Sequence, residues 1–137
     1  MNGGPSVAER IEAFLAGDGF AVVGATTVRA KYGNKVLRSY LQAGRTAYPV
    51  HPREREIEGL RAYPNLGAIP GAVHGVSIIT PPAITERVVE EAAALGVRHL
   101  WMQPGAESTK AIERAEARGV AVIAGGPCVL VELGFRG

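Results

Sequence analysis

A glycine at the end of an apolar run, followed by a loop with several cations, is the stretch best suited to chemistry. In residues 20–34, FAVVGATTVRAKYGN, Gly24 closes the apolar run and a helical pattern begins soon after Lys31. A residue without a Cβ lets the backbone turn tightly and lets an anionic group approach, and the N–H groups at a helix start favour that anion. The pattern predicts a phosphate-binding loop with charge-assisted contacts from Lys31, and less directly from Arg29 and Lys35.

The loop after Gly24 carries neither of the two common nucleotide-binding fingerprints. Its sequence, GATTVRAKYGN, lacks the G-x-G-x-x-G of dinucleotide-binding proteins and the G-x-x-x-x-G-K-[ST] of nucleoside triphosphatases. An ordinary strand-to-helix turn that binds nothing is therefore the alternative interpretation. The second apolar run ends in YPVHPRER, without the Asp or Glu that would hold the ribose 2′-hydroxyl of NAD.

Two arginines, Arg53 and Arg55, follow the second apolar run in the charged stretch RERE. Either arginine can meet a phosphate on a ribose, which leaves two ligand classes open: NADP, or an adenosine with a 3′-phosphate such as that of coenzyme A. A solvated loop whose charges pair with one another is the alternative for Arg53. A bare NAD site is the weaker hypothesis.

The remaining residue types that often carry chemistry are dispersed. His51, His74 and His99 show no metal-ligand spacing with the acidic residues, so we predict no metal site. Cys128, the single cysteine, is expected to be a small buried core residue, with a reactive thiol as the alternative. Because no nucleophile, base and orienting group occur together, we predict no catalytic residues and a protein that is not an enzyme.

Composition restricts the class of protein. With 137 residues the chain is expected to form one domain over residues 1–137, and a formal net charge of +2 does not indicate the basic face of a nucleic-acid-binding protein. Residues 1–5 lack the pattern of a signal peptide, and no apolar run approaches the ~20 residues needed to span a membrane. We therefore expect a cytoplasmic protein without a membrane or nucleic-acid partner.

Five apolar runs alternate with helical patterns along the chain. The predicted strands lie in FAVVGA, RTAYPV, VSIIT, RHLWMQPG and VAVIA. The first predicted helix begins with Ser6, whose spacing to Glu9 is that of a capping box, and the helices end near Gly17, Gly44, Gly96 and Gly119. Continuous apolar strands are typical of a sheet covered on both faces, so we predict an α/β fold with a doubly wound, five-stranded parallel sheet in three α/β/α layers.

The predicted sheet also places the ligand. In such sheets ligands bind beyond the carboxyl ends of the strands, where the strand order reverses beside the first strand, and Gly24 stands there. Trp101 and Met102 are expected in the core, whereas Gln103 can face the ligand cleft. Pro49 suits the end of the second strand better than its middle. Residues 51–75 are predicted as a loop with short ordered pieces.

Short fragments spread along the chain resemble those of one family. In order and spacing, VVGA with AKYGN, YPVHP, EIEGL, TPP, LWMQPGAES and GGPCVLVE resemble the small stand-alone CoA-binding proteins. These are relatives of the amino-terminal domain of the succinyl-CoA synthetase alpha chain. The resemblance covers about residues 7–134 and implies a Rossmann-like fold that holds coenzyme A (CoA) or acyl-CoA across the strand ends.

The resemblance also implies which residues bind each part of CoA. The family's pyrophosphate loop corresponds here to Gly24, Ala25, Thr26, Lys31, Tyr32, Gly33 and Asn34. Its adenosine side corresponds to Val50, His51, Pro52 and Arg53, and its wall along the pantetheine to Thr80, Pro81 and Pro82. Small relatives commonly carry an arginine directly before the cysteine near the chain end, whereas this sequence has Pro127 before Cys128.

Binding without catalysis is the function that the resemblance implies. The related synthetases use a phosphorylated histidine in a following domain and a nucleotide-grasping partner, and 137 residues are expected to hold neither. We therefore expect a CoA-binding module that senses, stores or delivers CoA, or that serves a separately encoded protein partner. An NADP-binding Rossmann reductase or redox sensor is the alternative, weakened by the missing second glycine and the lack of a catalytic Tyr-Lys pair.

Overall fold

The structure is a computed structural model that describes residues 4–137. Its helices are α1 (Val7–Ala16), α2 (Tyr32–Gln42), α3 (Pro82–Ala94), α4 (Thr109–Ala117) and α5 (Val129–Glu132). Its strands are β1 (Phe20–Val23), β2 (Ala47–Val50), β3 (Glu56–Ile57), β4 (Leu60–Arg61), β5 (Gly75–Ile78), β6 (His99–Met102) and β7 (Ala121–Ile123). Residues 1–3, which belong to the predicted domain and to the segment that lacks a signal-peptide pattern, lie outside the described residues.

Five strands form one parallel sheet in the order β2-β1-β5-β6-β7, and β3 and β4 form a separate antiparallel hairpin. Phe20 of β1 lies in register between Ala47 of β2 and Gly75 of β5. The chain moves outward from β1 to β2 and then returns to the other side of β1, so the strand order reverses between β1 and β5. This topology confirms the predicted Rossmann-like, doubly wound sheet and places its ligand edge beside Gly24.

Alternate residues of β1 point to opposite faces of the sheet and pack under different helices. Phe20 and Val22 belong to one apolar cluster with buried residues of α1, α2 and α5. Ala21 and Val23 belong to a second cluster with buried residues of α3 and α4. The predicted three-layer arrangement is therefore confirmed, and so is the expected burial of Trp101 and Met102, which the sheet directs into different clusters.

Pro49 does not lie at the end of β2, as the sequence predicts, but at the third of its four positions. β2 is an edge strand, and the carbonyl of Pro49 accepts from the N–H of Tyr63 on its outer side at 2.9 Å. In a parallel strand the N and C=O of one residue point to the same side. The missing N–H of Pro49 therefore faces outward, and no hydrogen bond to β1 is lost.

Local signals elsewhere place the helix and loop boundaries well. The predicted capping box of α1 is present: Ser6 N–H donates to Glu9 Oε1 at 2.7 Å, and Glu9 N–H donates to Ser6 Oγ at 3.1 Å. The irregular segment 51–75 contains the β3–β4 hairpin, whose turn residues Glu58 and Gly59 have φ of +53° and +78°. The four-residue helix α5 has no sequence prediction, because one turn is too short to show a helical period.

Within residues 4–137, no helix has both the length and the apolar character needed to cross a membrane.

Candidate functional site

The turn after β1 depends on Gly24 for its backbone geometry. Gly24 has φ +102°, which residues with a Cβ rarely adopt. A Cβ at this position would overlap the carbonyl oxygen of Ile79, whose own N–H donates to the carbonyl of Val23 at 2.8 Å. The glycine therefore serves the predicted tight turn. The sequence also predicts that the missing Cβ makes room for an anion. That prediction is wrong, because the backbone of Ile79, directly after β5, occupies the Cβ position.

Gly33 lets the first turn of α2 approach the same loop. A Cβ on Gly33 would overlap the carbonyl oxygen of Gly24. Lys31 is the N-cap of α2, and its side chain makes no capping hydrogen bond to any part of the helix. The N–H groups of the first helical turn therefore lack a side-chain acceptor, and with the positive end of the helix dipole they favour an anion at this end.

A cleft of about 510 Å³ opens at the carboxyl ends of β1, β2 and β5. Its walls are the loop after β1, the start of α2, the turn after β2 and the residues that follow β5. Ten of the fourteen predicted CoA-binding residues line it: Gly24, Ala25, Thr26, Lys31, Tyr32, Gly33, His51, Pro52, Thr80 and Pro81. Residues from three separate segments thus come together where the strand order reverses.

The other four predicted residues lie beside the cleft and do not line it. Arg53 lines the neighbouring pocket. Val50 is the last residue of β2 and is buried in the core, and Pro82 is the first residue of α3. Asn34 is fully buried in the first turn of α2. Val50 and Asn34 are therefore buried beside the cleft, whereas Pro82 is exposed at the start of α3.

Asn34 and Glu58 hold the loop after β1 in place. The Asn34 amide donates to the carbonyl of Thr26 at 2.8 Å and to the carboxylate of Glu58 at 3.0 Å. Glu58 also forms an ion pair with Arg29 at 3.4 Å, which directs the Arg29 charge toward the hairpin. Three cations are predicted near the helix start. Among the described residues that line the cleft, Lys31 is the one member of this set.

A second pocket of about 590 Å³ lies next to the cleft, past the end of β2. His51 and Pro52 line both spaces, which together we call the groove. Three cations, Arg53, Arg55 and Arg61, line this second pocket with one acid, Glu54, so its charge is positive overall. Arg61 has no sequence signal for this place, because the β3–β4 hairpin brings it there.

His51 shapes the turn at which the two parts of the groove meet. Its Nδ1 accepts from the N–H of Arg53 at 3.0 Å and from the N–H of Glu54 at 2.9 Å. A ring nitrogen that accepts two N–H groups carries no proton, so neutral His51 holds its proton on Nε2. Nε2–H is therefore the donor that His51 has to offer a ligand.

The far wall of the cleft is the connection between β5 and α3. Thr80 Oγ1 lies 2.8 Å from Thr85 Oγ1, and the N–H of Thr85 donates to the carbonyl of Pro81, the N-cap of α3, at 3.0 Å. Thr85 is fully buried. These bonds tie Thr80 and Pro81, which form this edge of the groove, to the buried Thr85.

A polar cluster next to the cleft joins three segments that are distant in sequence. Tyr32 Oη lies 2.6 Å from Cys128 Sγ and donates to Gln103 Oε1 at 3.1 Å. The N–H of Val129 donates to the same Oε1 at 3.0 Å. Cys128 is partly exposed and is not the buried core residue that the sequence predicts, because it lies beyond the end of β7 as the N-cap of α5. Gln103, whose place in the sequence allows it to face the cleft, is fully buried instead.

Burial raises the pKa of the Tyr32 phenol well above its ordinary value, and the hydrogen bond with Cys128 raises it further. The phenol therefore stays protonated and keeps its ability to donate. Sequence reasoning identifies Tyr32 as a loop residue and misses its pairing with the other two side chains. One feature of the sequence indicates this pairing. Gln103 follows β6 and Cys128 comes soon after β7, so both lie near the carboxyl ends of the parallel strands.

Comparison with known proteins shows the same fold in chains of similar length. A conserved hypothetical protein from Pyrococcus furiosus is 38% identical, with a TM-score of 0.80 over 85% of this chain and 99% of that one. A hypothetical protein from Pyrococcus horikoshii is 27% identical, with a TM-score of 0.87 over 94% of this chain and 90% of that one.

A curated relative is a much longer protein. The acetate–CoA ligase (ADP-forming) II subunit alpha of Pyrococcus furiosus is 32% identical over 89 residues, which make up 64% of this chain and 20% of that protein. The chain thus spans about one fifth of the length of this relative. The CoA binding domain family matches residues 18–134, a range that includes every segment of the groove. The resemblance seen in the sequence is confirmed, and the chain belongs to the CoA binding domain family.

Proposed function

We propose that this chain binds CoA or acyl-CoA in the groove and catalyses no reaction on it. The observation that carries the proposal is that the cleft at the start of α2 and the arginine-lined pocket are neighbours that share His51 and Pro52. CoA carries a pyrophosphate and a separate 3′-phosphate, and a groove with cations at both places offers a partner for each. Membership of the CoA binding domain family supports the same ligand.

Each part of CoA has a matching part of the groove in this proposal. The pyrophosphate contacts the backbone of residues 24–26 and the first turn of α2, with Lys31 adding a charge. The 3′-phosphate contacts Arg53, with Arg55 and Arg61 beside it. The pantetheine runs along the edge formed by Thr80 and Pro81.

The residue types in the cleft support binding more than catalysis. Glycine, alanine and proline make up much of its lining, and the one histidine there, His51, uses Nδ1 to hold its own turn. The ligase activity named for the curated relative belongs to a longer protein, of which the matched 89 residues make up 20%. We propose that this chain holds CoA for a separately encoded protein partner, or that it senses or stores the cofactor.

NADP is the competing ligand, because the arginine-lined pocket can also accept a 2′-phosphate on ribose. Calorimetric titration with CoA, acetyl-CoA, dephospho-CoA, NADP and NAD separates the two proposals. We expect CoA and acetyl-CoA to bind most tightly, and either ligand at a hundred times its Kd to stabilise the fold by about 2.7 kcal/mol. Tighter binding of NADP than of CoA would overturn the assignment of the ligand.

The proposed lack of catalysis needs a separate measurement. Acetyl-CoA incubated with a stoichiometric amount of the protein should remain intact, as followed by release of its thiol. Thiol release above the rate without protein, abolished by a substitution in the groove, would show that the chain is an enzyme.

A further inference from the structure

The cluster of Tyr32, Gln103 and Cys128 has a feature that CoA binding at the phosphates does not explain. Gln103 is fully buried, and its Nε2 has no hydrogen-bond partner within residues 4–137. The amide cannot be turned around to satisfy it, because the backbone N–H of Val129 donates to Oε1 and fixes which end is the acceptor. The cluster therefore contains a buried donor without an acceptor.

An unsatisfied buried donor is unfavourable, and a ligand carbonyl oxygen satisfies it once the Tyr32 or Cys128 side chain moves aside and uncovers Nε2. The cluster also contains a partly exposed thiol, Cys128, in contact with the Tyr32 hydroxyl. The Tyr32 side chain connects this thiol to the groove, because Tyr32 also lines the cleft. A ligand suited to the cluster carries a carbonyl and a sulfur on one arm, and the pantetheine arm of CoA carries amide carbonyls and a terminal thiol.

We propose that Cys128 is a thiol–disulfide exchange site that links the protein covalently to CoA as a mixed disulfide. This proposal rests on CoA binding in the groove. The second reactant is the symmetrical disulfide of CoA. The Cys128 thiolate attacks one sulfur of that disulfide, a new S–S bond forms to Sγ, and the original S–S bond breaks. One CoA leaves as a thiolate and takes a proton, so Cys128 is oxidised and one half of CoA disulfide is reduced.

The Tyr32 hydroxyl has a defined part in this exchange. In the resting state it donates to Gln103 Oε1 at 3.1 Å, and its oxygen lies 2.6 Å from Sγ. Rotation about the C–O bond turns the same proton toward the sulfur, where it stabilises the thiolate. Because burial keeps the phenol pKa high, the proton remains on Tyr32 during the reaction. The carboxylate of Glu107 acts on the same hydroxyl and also favours its protonated form.

The exchange is tested by intact-mass measurement after incubation with CoA disulfide. We expect one adduct of the mass of one CoA moiety, removed by dithiothreitol and absent in Cys128→Ser. Glutathione disulfide, which has no nucleotide, should react at least about tenfold more slowly, because only CoA disulfide is held beside the thiol by the groove. Adenosine 3′,5′-bisphosphate, which carries phosphates and no sulfur, should slow the reaction of CoA disulfide to that of glutathione disulfide.

Tyr32→Phe keeps the aromatic ring in the cleft and removes the hydroxyl. With CoA disulfide at saturation, we expect the exchange rate to fall by about threefold to tenfold, because thiolate stabilisation is lost while the intrinsic reactivity of the sulfur rises. An unchanged saturated rate would remove Tyr32 from the reaction.

The outcomes separate this inference from the binding proposal. CoA binding to Cys128→Ser with wild-type affinity, together with no adduct on the wild-type protein, would overturn the exchange site and leave CoA binding intact. Equal rates for CoA disulfide and glutathione disulfide would also overturn it, because Cys128 would then be an ordinary exposed thiol. Failure of CoA to bind either protein would overturn the proposed function itself.

Discussion

At the scale of residues, the groove contains side chains that hold the loop and side chains left to meet a ligand. Asn34 donates to the carbonyl of Thr26 and to Glu58, and Glu58 also pairs with Arg29. Lys31, Arg53 and Arg55 are exposed, and no ion pair involves any of them within residues 4–137. These three cations are therefore free to bind phosphate.

The choice of CoA over ligands without a 3′-phosphate is expected to depend on Arg53. A charge-assisted hydrogen bond is worth about 1.5 to 3 kcal/mol, so Arg53→Ala should weaken CoA binding by about tenfold to a hundredfold. Dephospho-CoA, which lacks the 3′-phosphate, should bind the variant and the wild-type protein equally. Calorimetric titration of both ligands into both proteins measures the contrast.

The matched control for Arg53 is Arg55→Ala in the same pocket. Equal losses of CoA and dephospho-CoA affinity in Arg53→Ala would mean that Arg53 acts on the turn or on the general field. A loss confined to Arg55→Ala would move the phosphate contact to that residue.

Gly24 is expected to matter for stability before it matters for binding. Gly24→Ala requires a positive φ and places a Cβ on the carbonyl oxygen of Ile79, so it should destabilise the fold by more than the ~1 kcal/mol of a positive φ alone. Gly44→Ala is the control, since Gly44 has φ +73° and no atom within 4 Å of its Cβ position. Urea unfolding compares the two, and equal losses would mean that the overlap at Gly24 relaxes.

At the scale of elements, α2 is attached to the sheet by more than apolar packing. Tyr40 is fully buried, and its Oη lies 2.6 Å from Oγ of Ser77 in the middle of β5. Its ring also stacks on Phe20 of β1 at 4.8 Å between centroids. This bond fixes α2 against β1 and β5, whose carboxyl ends carry the groove.

The Tyr40–Ser77 bond can be measured by a double-mutant cycle. Tyr40→Phe and Ser77→Ala each leave one buried hydroxyl without its partner, and each should cost about 1 to 3 kcal/mol of unfolding free energy. The double variant removes both hydroxyls, so neither is left without a partner. Its loss of unfolding free energy should therefore be smaller than the sum of the two single losses by about 1 kcal/mol. Urea unfolding of the four proteins gives the coupling, and strictly additive losses would mean that the two hydroxyls do not interact.

At the scale of the whole molecule, a histidine pair lies at the amino-terminal ends of the strands, opposite the groove. His74 precedes β5 and His99 begins β6, with ring centroids 4.6 Å apart. The Nε2 of His74 lies 3.0 Å from the carbonyl of Ala13 in α1, so the pair also contacts the first helix. Burial lowers the pKa of His99 from 6.5, and the neighbouring His74 lowers it further.

This histidine pair should make the stability of the molecule depend on pH. Because the folded pKa of His99 lies below the unfolded value of 6.5, the unfolded chain binds the proton more tightly. Stability is therefore full above about pH 6.5 and falls as the pH drops toward the folded pKa. Urea unfolding between pH 5 and pH 8 should show this loss in the wild-type protein and a smaller one in His99→Asn.

His74→Asn is the matched comparison for His99. It removes the second cause of the lowered pKa and keeps the first, burial, so the loss on acidification should lie between those of the wild-type protein and His99→Asn. Identical pH profiles for all three proteins would show that the pair does not couple proton binding to folding.

The local sequence determined the elements of this protein. Continuous apolar runs such as residues 20–23 indicate strands of a covered parallel sheet, and the Ser6 and Glu9 spacing indicates the start of α1. These signals depend on neighbours within a few positions, so they survive in a single sequence. The topology then follows from connection rules, and with it the edge at which Gly24, His51 and Thr80 meet.

Only the tertiary structure decided which side chains share that edge and what each one contacts. Tyr32 meets Gln103 and Cys128 across 71 and 96 positions of sequence, and the β3–β4 hairpin brings Glu58 to Asn34 across 24. The Cβ space of Gly24 belongs to Ile79, which the turn pattern alone does not show. Such contacts depend on the conformations of several loops at once, and no local pattern of residues encodes the distance between two loops.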